Sequence, residues 1–216
     1  MTLPERMTDR WTRRADPAPG QQALYWHVLM GHYPGVTKLA DEARRRLAPF
    51  QGLHMTPDHC LHMTMLEVGP VNSVTDDQLQ QMTSSATKDL ARIAPIAVRL
   101  GRVLYHPEAI MLAVTPVDGL APLRQAAIDA ASSLRAASPA PSWTPHITLC
   151  YSTSDQPAQP IIEALGTQLP EQEFHVQALS LVIQAGPERE WNWTVVGTAS
   201  LRGSASDAPT TATASN

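Results

Sequence analysis

Apolar and polar positions along this chain follow two periods, one typical of strands and one of helices. Residues 23–30 form a run of strand length that is apolar except for one histidine, whereas residues 36–47 carry an apolar side chain every three or four positions, as one helix face does. The same criteria predict strands over residues 51–56, 60–68, 96–104, 109–115, 144–151, 174–184 and 193–201, and helices over residues 76–93, 120–136 and 160–169.

The order of these elements predicts an α+β fold. Two pairs of strands follow each other without a helix between them, which a strictly alternating parallel sheet does not allow. Residues 1–20 are polar and predict a flexible N-terminal arm. Residues 203–216 hold no large apolar side chain and predict a disordered C-terminal tail. The predicted folded domain is therefore 21–202.

Composition and charge narrow the range of partners. The 216 residues carry a net charge of −4, so an extended basic track for long nucleic acid is not expected, but a small nucleotide or an RNA end stays possible. No apolar run approaches the roughly 18 residues that span a bilayer, so no membrane association is expected. Two cysteines do not make a disulfide framework, which predicts a cytoplasmic protein. A monomer is the default expectation.

The sequence contains a repeated motif of histidine, an apolar residue and threonine. His62 and Thr64 lie in one predicted strand, and His146 and Thr148 lie in another, 84 residues further along. Side chains two positions apart point to the same face of a strand. Each strand therefore presents one imidazole beside one hydroxyl.

Two imidazoles and two hydroxyls suit the opening of a cyclic phosphate. A histidine titrates near 6.5, so one can remove a proton from water while another protonates the leaving sugar oxygen. Hydroxyl groups can donate hydrogen bonds to the non-bridging phosphate oxygens. This chemistry requires no metal and no cofactor.

Two other interpretations of these residues are weaker. His54, Met55 and Thr56 repeat the pattern, but Pro57 ends the strand there, so we expect His54 to be a structural residue. Cys60 and His62 together with His146 and Cys150 offer four potential zinc ligands. A zinc site would leave both threonines unexplained, and we expect the thiols to be core or cleft-lining residues.

The two motifs resemble those of the 2H phosphoesterase superfamily, in its branch of 2′-5′ RNA ligase-like proteins and 2′,3′-cyclic nucleotide phosphodiesterases. The segments LHMTMLEVG and TPHITLCYS are similar to that family's two motif strands, and the similarity covers residues 23–200 by order of elements. The resemblance implies a bilobal, pseudo-two-fold α+β fold. Two antiparallel sheets would each contribute a motif strand to a central cleft, with the helices outside.

The resemblance also implies roles for individual residues. His62 and His146 would be the acid–base pair, with Thr64 and Thr148 as phosphate binders; the working assignment takes His62 as acid and His146 as base. Some family members carry a basic residue shortly after the second motif, whereas here Cys150, Tyr151 and Ser152 follow it. This departure weakens the case for an extended RNA substrate and makes Tyr151 a candidate substrate contact.

Three further residues are candidates for substrate binding. Trp143, just before the second motif, and Tyr105, in a predicted loop, could stack on a nucleobase or pack in the core. His27, in the first strand, could line the cleft or be a packed histidine.

The expected function is hydrolysis of a 2′,3′-cyclic phosphate on a nucleotide or RNA end to a monoester. Ligation in reverse, with a 2′-5′ linkage, ranks lower. The alternatives are a non-catalytic module that binds a nucleotide or RNA end, and a phosphodiesterase for a small metabolite unrelated to RNA.

Overall fold

A computed structural model describes residues 2–12, 14–132 and 143–204. Its four α-helices are α1 (Pro34–Leu47), α2 (Asp76–Leu90), α3 (Ala121–Ala131) and α4 (Gln159–Leu165). Its strands are β1 (Arg6–Met7), β2 (Gln22–Leu29), β3 (Leu53–Met55), β4 (His62–Pro70), β5 (Ile96–His106), β6 (Ala109–Ala113), β7 (His146–Ser152), β8 (Gln156–Pro157), β9 (Gln168–Val176), β10 (Ala178–Ala185) and β11 (Trp193–Ser200).

The longer strands form two sheets in which every pairing is antiparallel. One sheet has four strands in the order β11-β10-β2-β4, and the other has five in the order β3-β7-β6-β5-β9. Strands β4 and β7, which carry the two motifs, contact each other across the two sheets. The architecture confirms the predicted α+β fold with a motif strand in each sheet.

The helices cover the two sheets in pairs. Helix α1 packs against β9 and α4, whereas α2 packs against β11 and α3 against β4. Pro34 begins α1, where its missing N–H costs nothing, and the buried face of that helix ends at Leu47. Thr75 and Gln78 form a capping box that fixes the start of α2, as the sequence predicts for residue 76.

The predictions for the C-terminal third are partly wrong. The helix predicted over residues 160–169 ends at Leu165, because Gly166 adopts a φ of +81° that ends the helix. The strand predicted over residues 174–184 is two strands in different sheets, since β9 pairs with β5 and β10 pairs with β2 and β11. The predicted continuation of α3 to residue 136 lies partly outside the described residues.

The N-terminal residues 2–12 are packed against the domain, which differs from the predicted flexible arm. Strand β1 pairs with β8, and the Met7 side chain is fully buried. The Arg10 amide donates to the Ser152 carbonyl, and the Trp11 ring meets Tyr151 edge-on at 5.4 Å between centroids. The anchoring residues are isolated apolar side chains in a polar stretch, so periodicity does not reveal them.

The predicted C-terminal tail is described only at its beginning. Gly203 donates its amide to the Ile93 carbonyl, and residues 205–216 lie outside the described part. Within the described ranges, no helix combines the length and apolar character needed to cross a membrane.

Candidate active site

An irregularity in β4 decides which of its side chains face the cleft. His27 of β2 is paired with Thr64 and Trp26 with Leu66, so Met65 is an extra residue, a β-bulge. The bulge shifts the alternation by one position. As a result His62, Thr64 and Glu67 line the same cavity, whereas Met65 is buried in the core.

Strand β7 has the same irregularity at the same place after its motif. Ile110 is paired with Cys150 and Met111 with Thr148, which leaves Leu149 as the extra residue. His146, Thr148 and Tyr151 therefore face the cleft together. Strict alternation would place Cys150 beside Thr148, but the bulge turns the thiol into the core, where it is fully buried.

Both motifs open into one cavity of about 970 Å³ between the two sheets. This volume lies near the upper end of the roughly 300–1,000 Å³ typical of small-molecule sites. The polar groups that line the cavity include imidazoles, hydroxyls, carboxylates and guanidinium groups, together with carboxamides. Those of the first four kinds belong to His27, His62, His146, Thr64, Thr148, Tyr25, Tyr151, Glu67, Glu188, Arg10 and Arg14.

The two motif histidines are oriented by equivalent hydrogen bonds. His62 Nδ1 lies 2.8 Å from the Cys60 carbonyl, and His146 Nδ1 lies 2.7 Å from the Thr144 carbonyl. A carbonyl only accepts, so each Nδ1 carries the proton and donates it. In a neutral ring this leaves Nε2 with its lone pair for a bound molecule.

The surroundings of His62 favour its neutral form. Its ring lies 4.3 Å from His27 and 4.6 Å from Trp193 between centroids, and one edge opens to the cavity. This burial lowers the pKa of His62 to about 4. The hydrogen bond to the Cys60 carbonyl and the Glu188 charge oppose the shift, and His146 adds a small lowering effect. His62 is therefore unprotonated at neutral pH.

His27 lies behind His62 at the same end of the cavity. Its side chain is buried, stacks on Tyr25, and leaves Nδ1 without a hydrogen-bond partner in the structure. Burial and the neighbouring His62 hold the pKa of His27 well below its ordinary value. Two neutral imidazoles thus lie side by side.

Tyr151 belongs to a polar cluster at the rim of the cavity. Its hydroxyl donates to Glu188 at 2.6 Å, and the Arg10 guanidinium lies over its ring, 4.3 Å from the centroid. Burial, reinforced by the nearby Glu188 carboxylate, raises the pKa of Tyr151, so the phenol stays protonated. Arg10 and Glu188 have no motif in the sequence, and only tertiary packing brings them to Tyr151.

Two of the predicted substrate contacts lie away from the cavity lining. Tyr105 is not in a loop but in β5, where it is buried and donates its hydroxyl to the Gly166 carbonyl. Trp143 donates its indole N–H to the Thr64 carbonyl at 3.0 Å and packs against the core. Both aromatic rings therefore support the fold, and Trp143 braces the first motif strand from behind.

His54, the histidine of the third pattern, is also outside the cavity lining. Its ring stacks on Trp191, and its Nε2 lies 3.0 Å from the Trp191 indole nitrogen and 3.1 Å from the Arg189 carbonyl. Thr56 is buried in the fold. These contacts are those of a structural histidine.

The described part of the chain contains no cluster of side chains that would support the zinc alternative. There, no three His, Cys, Asp or Glu side chains are grouped so that they could share an ion. Burial raises the pKa of the Cys60 thiol to about 11, and that of Cys150 to about 12. Both thiols are therefore protonated at neutral pH.

Residues 34–188 match the sequence model of the 2′-5′ RNA ligase superfamily, a range that contains both motif strands. The chain belongs to the 2′-5′ RNA ligase superfamily. This membership confirms the resemblance to 2H phosphoesterases. It supports an activity of the phosphodiesterase or ligase type. No curated protein sequence matches the chain significantly.

Several solved structures share this superfamily fold. TT0787 of Thermus thermophilus is 22% identical, with a TM-score of 0.62 over 84% of this chain and 98% of that one. E. coli LigT complexed with 3′-AMP is 14% identical, with a TM-score of 0.59 over 84% and 98%. The MHV ns2 PDE domain is 15% identical, with a TM-score of 0.53 over 74% and 96%. At these identities the likeness establishes the fold.

Proposed function

We propose that the protein is a metal-independent cyclic phosphodiesterase that hydrolyses a 2′,3′-cyclic phosphate, on a nucleotide or an RNA end, to a phosphomonoester. One observation carries the proposal: two His-x-Thr pairs from different sheets line one cavity, with both imidazoles locked by carbonyls at Nδ1. A site that only binds a ligand does not need two imidazoles that are each held by a carbonyl at Nδ1 and so keep Nε2 free. Acid–base catalysis needs two such groups, one to accept a proton and one to donate it.

In the proposed mechanism His62 acts as the general base and His146 as the general acid. This reverses the working assignment from the sequence, because burial keeps His62 neutral and its Nε2 lone pair can accept a proton from water. The activated water attacks phosphorus, and the bond to one sugar oxygen breaks. Protonated His146 donates the proton from its Nε2 to that leaving oxygen, so the ring opens to a monoester.

The two threonines would stabilise the charge that develops on the phosphate. Thr64 and Thr148 line the cavity beside the histidines, so their hydroxyls can donate to the two non-bridging oxygens. Once the phosphate binds, its negative charge raises the pKa of His62. His62 then accepts a proton from water more readily when substrate is bound than when the site is empty.

The remaining contacts would position the substrate. Tyr151 presents its ring to the cavity, and His27 closes the wall behind His62. E. coli LigT has been solved in complexes with 3′-AMP and with ATP, which supports a nucleotide as the ligand class here. Ligation would be a parallel reaction of the same cyclic phosphate, in which a sugar hydroxyl replaces water as the attacking group, so that a phosphodiester forms as the ring opens.

Single substitutions test the proposal. His62→Ala and His146→Ala should each lower kcat for 2′,3′-cyclic AMP by about 10²–10⁴ in the presence of a chelator, since each removes one acid or base. Binding of 3′-AMP, followed by calorimetry, should persist in both variants. Tight binding without turnover by the wild type would instead indicate the non-catalytic binding module.

A further inference from the structure

The N-terminal segment forms one wall of the active-site cavity. The residues of this segment that line the cavity include Arg10, Arg14, Ala15, Pro17, Pro19 and Gly20. The segment is held at two places. The buried Met7 belongs to β1, which pairs with β8, and Asp16 accepts two hydrogen bonds from the Arg189 guanidinium.

Two arginines of this wall face the cavity, and their environments differ. Arg10 is bound by two carboxylates, Glu188 at 2.8 Å and Glu108 at 3.2 Å, with its side chain only 13% exposed. Arg14 contacts the same Glu108 oxygen at 2.8 Å through one nitrogen, and its side chain is 53% exposed. Glu108 thus fixes the position of Arg14 while satisfying few of its donors.

The proposed reaction assigns no role to the guanidinium groups of this wall. The reacting phosphate has two threonine hydroxyls and two imidazoles available to it, and Arg10 is already neutralised. A guanidinium has five N–H donors in a planar fork that matches phosphate oxygens. Arg14, half exposed on the wall of a cavity of about 970 Å³, is placed to bind a second anionic group of the same ligand.

We propose that Arg14 binds a phosphate group other than the one that reacts, so that the preferred substrate is a nucleotide with both a 2′,3′-cyclic phosphate and a 5′-phosphate. This inference rests on the proposed function and adds a specificity determinant to it. The N-terminal segment is then part of the substrate-binding site.

The test compares two substrates that differ only in the second phosphate: adenosine 2′,3′-cyclic phosphate with and without a 5′-phosphate. A charge-assisted contact predicts a KM about tenfold lower for the 5′-phosphorylated substrate with the wild type. Arg14→Gln should reduce the KM ratio to near one, and Arg14→Lys should restore part of it. Arg6→Gln is the matched control, because it removes the same charge from the same segment outside this cavity.

Two results would overturn the inference: equal KM values for the two substrates with the wild type, or a KM ratio that persists in Arg14→Gln. If the wild type hydrolyses neither substrate, the proposed function fails, but the inference is still tested by binding. Calorimetry should then show that adenosine 3′,5′-bisphosphate binds more tightly than 3′-AMP, and that Arg14→Gln removes the difference. Equal affinities would refute it.

Discussion

Removing the indole of Trp193 should raise the pH at which activity is lost in acid. That ring meets His62 edge-on at 4.6 Å and helps to exclude water from it, and burial is the main cause that lowers the pKa of His62 to about 4. Trp193→Ala admits water to the imidazole. The pKa of His62 should then move upward, towards its ordinary value of about 6.5.

The size of the effect follows from the neutral fraction of the base. With a pKa of about 4, about nine-tenths of His62 is neutral at pH 5, whereas with a pKa of 6.5 only about 3% is neutral. Between pH 7 and pH 5 the wild type should therefore keep most of its kcat/KM, and Trp193→Ala should lose up to about 25-fold, because the neutral fraction of its His62 falls from about three-quarters to about 3%.

The assay is kcat/KM for 2′,3′-cyclic AMP between pH 4 and pH 8, because this parameter reports the free enzyme. Trp193→Phe retains an aromatic edge beside the imidazole, so it is the matched control and should keep the low acid limb. Activity regained on return to pH 7 separates titration from unfolding. An acid limb near pH 6.5 in the wild type, or the same limb in all three proteins, would refute the argument.

Four other substitutions have defined outcomes. Thr64→Val and Thr148→Val should each lower kcat by about a hundredfold, because each removes a hydrogen-bond donor to the phosphate. Thr→Ser at either site keeps the hydroxyl and should retain most of the wild-type kcat. An unchanged kcat in the valine variants would exclude the proposed role. His54→Ala should cost about 1 kcal/mol of unfolding free energy by denaturant titration, because the Trp191 N–H loses an acceptor, while kcat/KM stays near wild type. Trp143→Phe should cost a similar amount and leave KM unchanged, since the ring lies outside the cavity lining; a large rise in KM would restore it as a substrate contact.

The sequence predicts most of the fold because its elements have strong periodicity. The apolar positions of α1 and the buried run of β2 depend on local spacing alone. Strand β9 has no such signal, since it is a largely exposed edge strand and contains Pro170. Its boundary with β10 is set by which sheet each segment joins, and that depends on tertiary pairing.

The residues of the candidate site also divide into those that the sequence pattern reveals and those that depend on strand pairing. His62 and Thr64 share a face at ordinary strand spacing, so the repeated motif reveals them. Glu67 and Tyr151 reach the cavity through β-bulges, which are properties of a strand pair and not of one strand. The occurrence of an extra residue directly after Thr in both strands is the one regularity that relates these two positions.

The remaining cavity residues come from segments without a pattern. Arg10 and Arg14 lie in a polar stretch that resembles a free arm until Met7 is seen to be buried. Glu188 follows β10 in a short helical turn, and its role depends on contact with Tyr151. Such contacts join residues more than 30 positions apart, and no local property encodes them.

The central claim is that the two motif histidines open a cyclic phosphate without a metal ion. Phosphorus NMR of the purified protein with 2′,3′-cyclic AMP in the presence of a chelator tests it most directly, with the His62→Ala/His146→Ala double variant measured alongside. The account predicts that the wild type alone converts the cyclic phosphate signal to that of a monoester, whose chemical shift identifies the ester bond that breaks. Ring opening by the double variant at the wild-type rate, or a wild type that binds the nucleotide without opening the ring, would contradict it.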